Sequence, residues 1–409
     1  MQDNRRTSRD IRIQSRLDVL HALLPVETST RAQIARATGL SVATVATLVS
    51  ELLAEGVLVE AGLDTPRAGR PTMRLKIDET RGALVSVAVG ETRIRAVAFD
   101  AAVVERGSAL VPLGDAGLSV ERVAAAVVEA CRQALTGAGF DESSVLGVGI
   151  ALPGHIHGGG RRDVVEPHRG WNSDELIERV HAVTGFALVA DNPLKAIAAA
   201  ELWFGRGPGA AGMVVVNLGT GVGAGIVVEG KILRGAGNRA GEWGHTLLFF
   251  DGRECPCGRR GCVEAYVGEP GIRETLREIA PGHPLAAHDA AGFVAALARA
   301  CDADPSDAAL REVVERTARF LGYALADLVA VVDPELLMLT GCVPWDLGPR
   351  ILPLITAHLL ERAPVGAADT LRVEVSTVRG NAVAIGMGTL AFEAVVGGLE
   401  SDLVATLPG

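Results

Sequence analysis

The sequence predicts an α/β protein in two lobes behind an N-terminal winged helix-turn-helix. Two capped short helices flank position 40, and beyond residue 81 β-branched runs such as ALVSVAVG alternate with amphipathic helical stretches. At 409 residues the chain is long enough for two or three cores. No apolar run reaches the roughly 18 residues of a membrane span. The longest candidate, MVVVNLGTGVGAGIVV, is broken by Gly, Asn and Thr and reads as a β-hairpin. A soluble, cytoplasmic protein without a membrane partner is expected.

Residues 1–80 form the first module. From Ser8 to Leu24 the residues Ile11, Leu17, Leu20, Leu23 and Leu24 recur at helical spacing among arginines. A short helix starts behind Ser29 or Thr30 and ends at Gly39. Ser41 then caps a second helix with Val45, Leu48, Leu52 and Leu53 as its core stripe, and Gly56 is placed to end it. Two helices joined by a tight glycine turn make a helix-turn-helix, whose second helix enters the major groove by its first turn. Ser41, Thr44 and Thr47 are candidates to read base edges, and Val42 and Ala43 to touch thymine methyls. Val57–Glu60 and Arg74–Ile77 are strand-like around RAGRPT, a wing whose Arg67 and Arg70 suit a minor groove; with Arg31 and Arg36 they are candidates for phosphate contact. The recognition helix begins without Arg, Asn or Gln, so shape readout gains weight.

Beyond residue 81, ALVSVAVG and IRAVAFD are expected to pair, VLGVGIALPG and FALVA to form buried strands, and MVVVNLGTGVGAGIVV a second hairpin. Helices are expected over about 119–136, 174–184, 194–204, 306–332 and 380–396. The turns Gly90-Glu91-Thr92 and Gly219-Thr220-Gly221 occupy corresponding places, which implies a duplicated architecture closing on a cleft.

His245 precedes Cys255, Cys257 and Cys262, one nitrogen and three sulfurs at a spacing that suits tetrahedral Zn²⁺. Gly258 and Gly261 allow the tight folding this needs. A closed four-ligand shell makes the metal structural rather than catalytic. A disulfide plus an odd thiol is disfavoured, because nothing at the N-terminus reads as a signal peptide. Cys131, Cys301 and Cys342 lie in apolar or helical contexts and are expected as buried thiols.

Residues 1–80 carry 11 Lys/Arg against 10 Asp/Glu, while the chain as a whole has a net charge of −10. A neutral-to-basic module on an acidic remainder confines positive charge to one end, as DNA binding prefers.

These motifs together resemble the ROK family, which comprises sugar kinases of the actin-like ATPase fold and repressors carrying an N-terminal winged helix-turn-helix. The resemblance rests on Gly241–His245 (GEWGH), the C-x-C-G-x-x-G-C-x-E segment from Cys255 to Glu264, LPG at 152–154, the Gly219–Gly221 turn and GRP at 69–71. It implies one lobe over 81–192 and another over 193–409, the latter with the zinc loop 245–262 and a C-terminal helix returning to the first lobe. It also implies that a sugar or sugar phosphate is held by Asn192, Glu242, His245 and Glu264.

Three departures argue against catalysis. The family's kinases follow that Asn with an Asp that accepts the sugar proton; here the residue is Pro193, which cannot. Asn192 and Pro193 still suit an N-cap and a first helical residue. Asp191, one place early, is a poor substitute. The first phosphate turn, D-x-G-G-T in the kinases, reads Ala88-Val89-Gly90-Glu91-Thr92, and Gly341-Cys342 replaces a Gly-Gly. The expected protein is thus a regulator of carbohydrate-related genes, most simply a repressor, that binds an operator as a homodimer or homotetramer. A sugar kinase fused to a DNA-binding domain and a regulator that no longer senses sugar are the alternatives.

Overall fold

The computed structural model describes residues 8–64, 71–90, 92–114, 119–152, 173–207, 209–288, 292–378, 380–396 and 405–406. The wing tip with Arg67 and Arg70, Glu91, and the Pro153-Gly154 pair lie outside the described residues. The chain divides into two compact units, Met1–Phe204 with Gly380–Gly409, and Gly205–Arg379.

The first unit opens with α1 (Ser8–His21), β1 (Ser29–Thr30), α2 (Arg31–Thr38), α3 (Val42–Ala54), β2 (Leu58–Asp64) and β3 (Thr72–Ile77). Thr30 caps α2 in a capping box with Gln33, and Gly39 ends it in the left-handed region at φ +70°. Ser41 caps α3 by accepting from the Thr44 N–H. The axes of α2 and α3 bend by 117° across this turn, the angle of a helix-turn-helix. The strands form a three-stranded sheet in the order β1-β3-β2. Two expectations need correction. Ile11 is exposed, α1 stopping at His21 with Leu23 and Leu24 buried in the turn beyond; and the stripe of α3 is Val45, Leu48, Val49 and Leu52, with Leu53 only half-buried.

The unit continues with β4 (Ala83–Val89), β5 (Arg93–Asp100), β6 (Glu105–Pro112), α4 (Val120–Ala138), β7 (Val145–Ala151), α5 (Ser173–Thr184), β8 (Leu188–Asp191) and α6 (Pro193–Phe204). The second unit holds β9 (Gly212–Leu218), β10 (Val222–Val228), β11 (Lys231–Ile232), α7 (Glu264–Val267), α8 (Glu269–Ile279), α9 (Phe293–Ala303), α10 (Ala308–Val332), β12 (Leu336–Thr340), α11 (Cys342–Arg362), α12 (Ala367–Thr370) and β13 (Arg372–Val375). The chain then returns to the first unit as α13 (Ala382–Val396) and β14 (Ala405–Thr406).

The two sheets repeat one plan. In the order β14-β8-β7-β4-β5-β6, β4 pairs antiparallel with β5 and parallel with β7; in β11-β10-β9-β12-β13, β9 pairs antiparallel with β10 and parallel with β12. The strands buried on both faces are the continuous apolar runs that parallel pairing requires. Among the described residues no single helix is long and apolar enough to cross a membrane.

Candidate metal centre and nucleic-acid interface

Ser41, Val42, Ala43, Thr44 and Thr47 are all exposed, and they share the N-terminal end and outer face of α3 opposite its buried stripe. Val42 is 63% exposed, so its methyl groups are free to meet a partner surface. The Ser41 and Thr44 hydroxyls lie 2.8 Å apart, and Thr47 donates to the Ala43 carbonyl. Arg36 is exposed and Arg31 half-buried. No acidic residue occupies the first turn of either helix, so nothing there repels a phosphate.

In the second unit, a 3₁₀ turn over Glu242–His245 presents His245, and a knuckle presents the sulfurs. The Cys255 N–H bonds the Arg259 carbonyl and the Gly258 N–H bonds the Cys255 carbonyl. Gly258 and Gly261 take φ of +83° and +76°, and a Cβ at Gly261 would lie 1.8 Å from the Phe249 carbonyl. The expected four ligand atoms lie within 4.8 Å of one another. His245 Nδ1 is 3.6 Å from Cys255 Sγ, and Cys257 Sγ is 3.7 Å from Cys262 Sγ. A disulfide needs about 2.05 Å. A tetrahedral ion with Zn–S of about 2.3 Å and Zn–N of about 2.05 Å has S···S edges of ~3.8 Å and N···S edges of ~3.6 Å, so the cluster fits such a metal. Burial pushes the Cys255 and Cys262 thiols up. At Cys257 burial is outweighed by hydrogen bonds from Arg259 and the neighbouring thiols, which bring it down to about 6. Cys131 and Cys301 are buried as expected, but Cys342 is half-buried and donates to the Leu218 carbonyl at 3.7 Å.

Glu264 opens α7 and faces both motifs. Its Oε2 accepts from the Val222 N–H at 2.8 Å, behind the Gly219–Gly221 turn, and its Oε1 lies 3.6 Å from Cys255 Sγ and 4.0 Å from His245 Nδ1. Glu242 is half-buried at the start of the 3₁₀ turn. Asn192 belongs to the other unit, at the head of α6, where its Oδ1 accepts from the Leu194 N–H at 2.8 Å ahead of Pro193. Asp191 is buried, and its Oδ1 accepts from the Asn192 N–H at 2.8 Å.

Two residues of this region were not singled out by their sequence context. Arg253 fastens the knuckle: its guanidinium bonds the Ala265 and Gly271 carbonyls, Thr275 Oγ1 and Glu278, and stacks 4.6 Å from the Tyr266 ring centroid. Glu269 bonds the Gly219 carbonyl through its N–H, and its Oε2 lies 3.6 Å from Cys342 Sγ beside Gly341. The other Glu269 carboxylate oxygen, Oε1, accepts from the Gly292 N–H at 3.0 Å.

Comparison with known proteins bears on both regions. The model of the ROK family matches residues 84–394. The putative xylose repressor of Caldicellulosiruptor sp. (strain Rt8B.4) is 27% identical over 384 residues, spanning 91% of this chain and 94% of that one. A glucokinase of Halalkalibacterium halodurans is 32% identical over 269 residues, 64% of this chain and 81% of its own. Among solved structures, a ROK family transcriptional regulator described as a homolog of the E. coli MLC protein superposes with a TM-score of 0.76 at 21% identity, over 96% of this chain and 98% of that one. That likeness shows the fold, and it extends across the N-terminal module. The chain belongs to the ROK family.

Proposed function

We propose that this protein is a sugar-responsive transcriptional repressor, in which α3 reads operator DNA and a kinase-like domain senses the effector. The observation that carries it is the exposed face of α3 over residues 41–44 and 47, on a helix-turn-helix joined to a ROK domain. A repressor is also what the full-length relative is named for. Ser41, Val42, Thr44 and Thr47 supply base contacts, and Arg31, Arg36, Arg67 and Arg70 supply phosphate or minor-groove contacts. Operators with two half-sites call for at least a dimer. The protein works in the cytoplasm, on DNA.

Asn192, Glu242, His245 and Glu264 supply the donors and acceptors a polyol needs. A structural Zn²⁺ on His245, Cys255, Cys257 and Cys262 fixes the imidazole. Phosphoryl transfer is disfavoured on one ground above all: Pro193 stands where a carboxylate base is needed.

The test is a gel shift with a fragment selected from random DNA by the protein itself, with and without D-xylose, D-glucose and their phosphates. Release by one compound is the expected result. A shift that none of them releases would favour a regulator that has lost sugar sensing, and no selected fragment would sink the regulator role. The kinase alternative keeps its footing in the glucokinase relative. ADP production with either sugar in a coupled assay would establish it.

A further inference from the structure

In the first unit, the N-terminal module does not hang on a linker. Val19, Leu20 and Leu23 share one apolar cluster with Phe99, Trp203, Ala391 and Phe392. At its edge stands His21, the partly exposed last residue of α1. Its ring stands edge-on to Trp203 with centroids 3.6 Å apart, and its Nε2 lies 3.3 Å from Glu393 Oε1. Trp203 is 2% exposed and packs edge-on against Phe392. His21 is therefore gripped by α6 on one side and α13 on the other.

Those two helices pack backbone to backbone. A Cβ at Gly386 of α13 would lie 1.7 Å from the Ala196 carbonyl of α6, so the backbones touch with no side chain between them. Neither can slide without dragging the other, because close-packed interfaces shift in discrete steps. The head of α6 is Asn192, and Trp203 is near its tail; twelve residues at about 1.5 Å each make a rod of about 18 Å. On the N-terminal side of His21, α1 is clamped to α3 by Arg12 Nη2 on Glu51 at 2.6 Å and by Arg16 on Glu55 at 2.5 and 2.7 Å.

We propose that α6 and α13, closing on His21, form a rigid relay that couples the segment around Asn192 to the recognition helix α3. The relay rests on the regulator role proposed above and adds its route: the signal passes through the His21 socket, not through the connecting segment 78–82. By linkage, what is transmitted one way must be transmitted the other, so bound DNA must be felt at Asn192.

Hydrogen exchange tests this without any effector. The full-length protein is followed by mass spectrometry with and without the DNA fragment selected by the wild type. In the wild type, DNA should change exchange at 188–196 by about fivefold or more, the lower end of site-to-site coupling. His21→Ala and Glu393→Gln, both at partly exposed positions, should still bind the fragment but lose that change; Trp203→Phe keeps an aromatic ring and should retain most of it. The relay is overturned if the variants show the wild-type change, or if the wild type binds DNA with no change at 188–196. A protein that selects no DNA fails both the relay and the regulator role, whereas the other two outcomes fail the relay alone.

Discussion

Val19, Leu20 and Leu23 of the N-terminal module are buried in a cluster that runs into the first unit's lobe, whereas the knuckle over 253–262 is held by backbone hydrogen bonds and one guanidinium around a His/Cys cluster that could take a metal. The first region is held by non-directional apolar contact. The second is held by directional bonds, and beside it Leu247, Phe249 and Phe250 are left exposed. Damage should therefore spread differently. Loss of one ligand should undo the knuckle and leave the distant sheets alone, while loss of one core methyl group should loosen the module and lobe together.

The largest effect is expected from Cys257→Ser. If a metal closes the cluster, losing a ligand removes the strongest cross-link of a loop with little core of its own, and at least about 4 kcal/mol should go. Thermal unfolding with and without a strong chelator checks it: chelation should lower the wild-type Tm and leave the variant unchanged. Equal melting of all four samples would show that the cluster carries no metal. Next, Arg253→Ala strips the Ala265 and Gly271 carbonyls and Thr275 of their donor, and about 3 kcal/mol should be lost. Leu20→Ala, at a fully buried position, should cost a similar ~3 kcal/mol. The comparison separates the two: limited proteolysis should nick Arg253→Ala within 245–262 alone, and Leu20→Ala both in the N-terminal module and in the lobe it packs on. Nicking at the same place in both would erase the contrast.

A smaller effect isolates recognition from fastening. Val42→Glu places a carboxylate on the exposed first turn of α3, where the helix dipole tolerates or favours it. Stability should hold, while affinity for the selected DNA falls by about tenfold or more through repulsion of phosphate and loss of the apolar contact. Fluorescence anisotropy at fixed salt measures it, and unchanged affinity would remove α3 from the interface.

What the sequence made legible follows the same division. Local chemistry was readable: the Thr30 and Ser41 caps, Gly39, the glycines of the knuckle and the cysteine spacing each act over a few residues. The buried runs of β4, β7 and β9 announced their strands by composition. The half-exposed β6 and the short β13 did not, and α11 was hidden by Pro349 and Pro353 inside it. The contacts that organise the sites were out of reach because they join distant residues. His21 meets Glu393 across 372 positions, and Arg253 finds its carbonyls only once α8 has packed; neither has a local signature. Pro193 was informative in the opposite way, since a proline suits the first position of the helix it begins while offering no side chain that could take a proton.

The smallest effect lies at the clamp between α1 and α3. The hydrogen bonds from Arg16 hold the Glu55 carboxyl below its ordinary range. The folded pKa is thus depressed, so the pair stabilises the fold above the unfolded value of about 4.3 and loses that contribution as pH falls through the folded value. Arg16→Met should remove it. The Glu55 side chain is 45% exposed, so solvent screens the pair and less than about 1 kcal/mol is at stake. Urea unfolding of wild type and variant should differ by that amount near neutral pH and converge in acid, where Glu55 is protonated in both. A difference that persists in acid would mean that the Arg16 stem, only 14% exposed, acts by packing instead, and that apolar contact rather than charge sets the angle between α1 and the recognition helix.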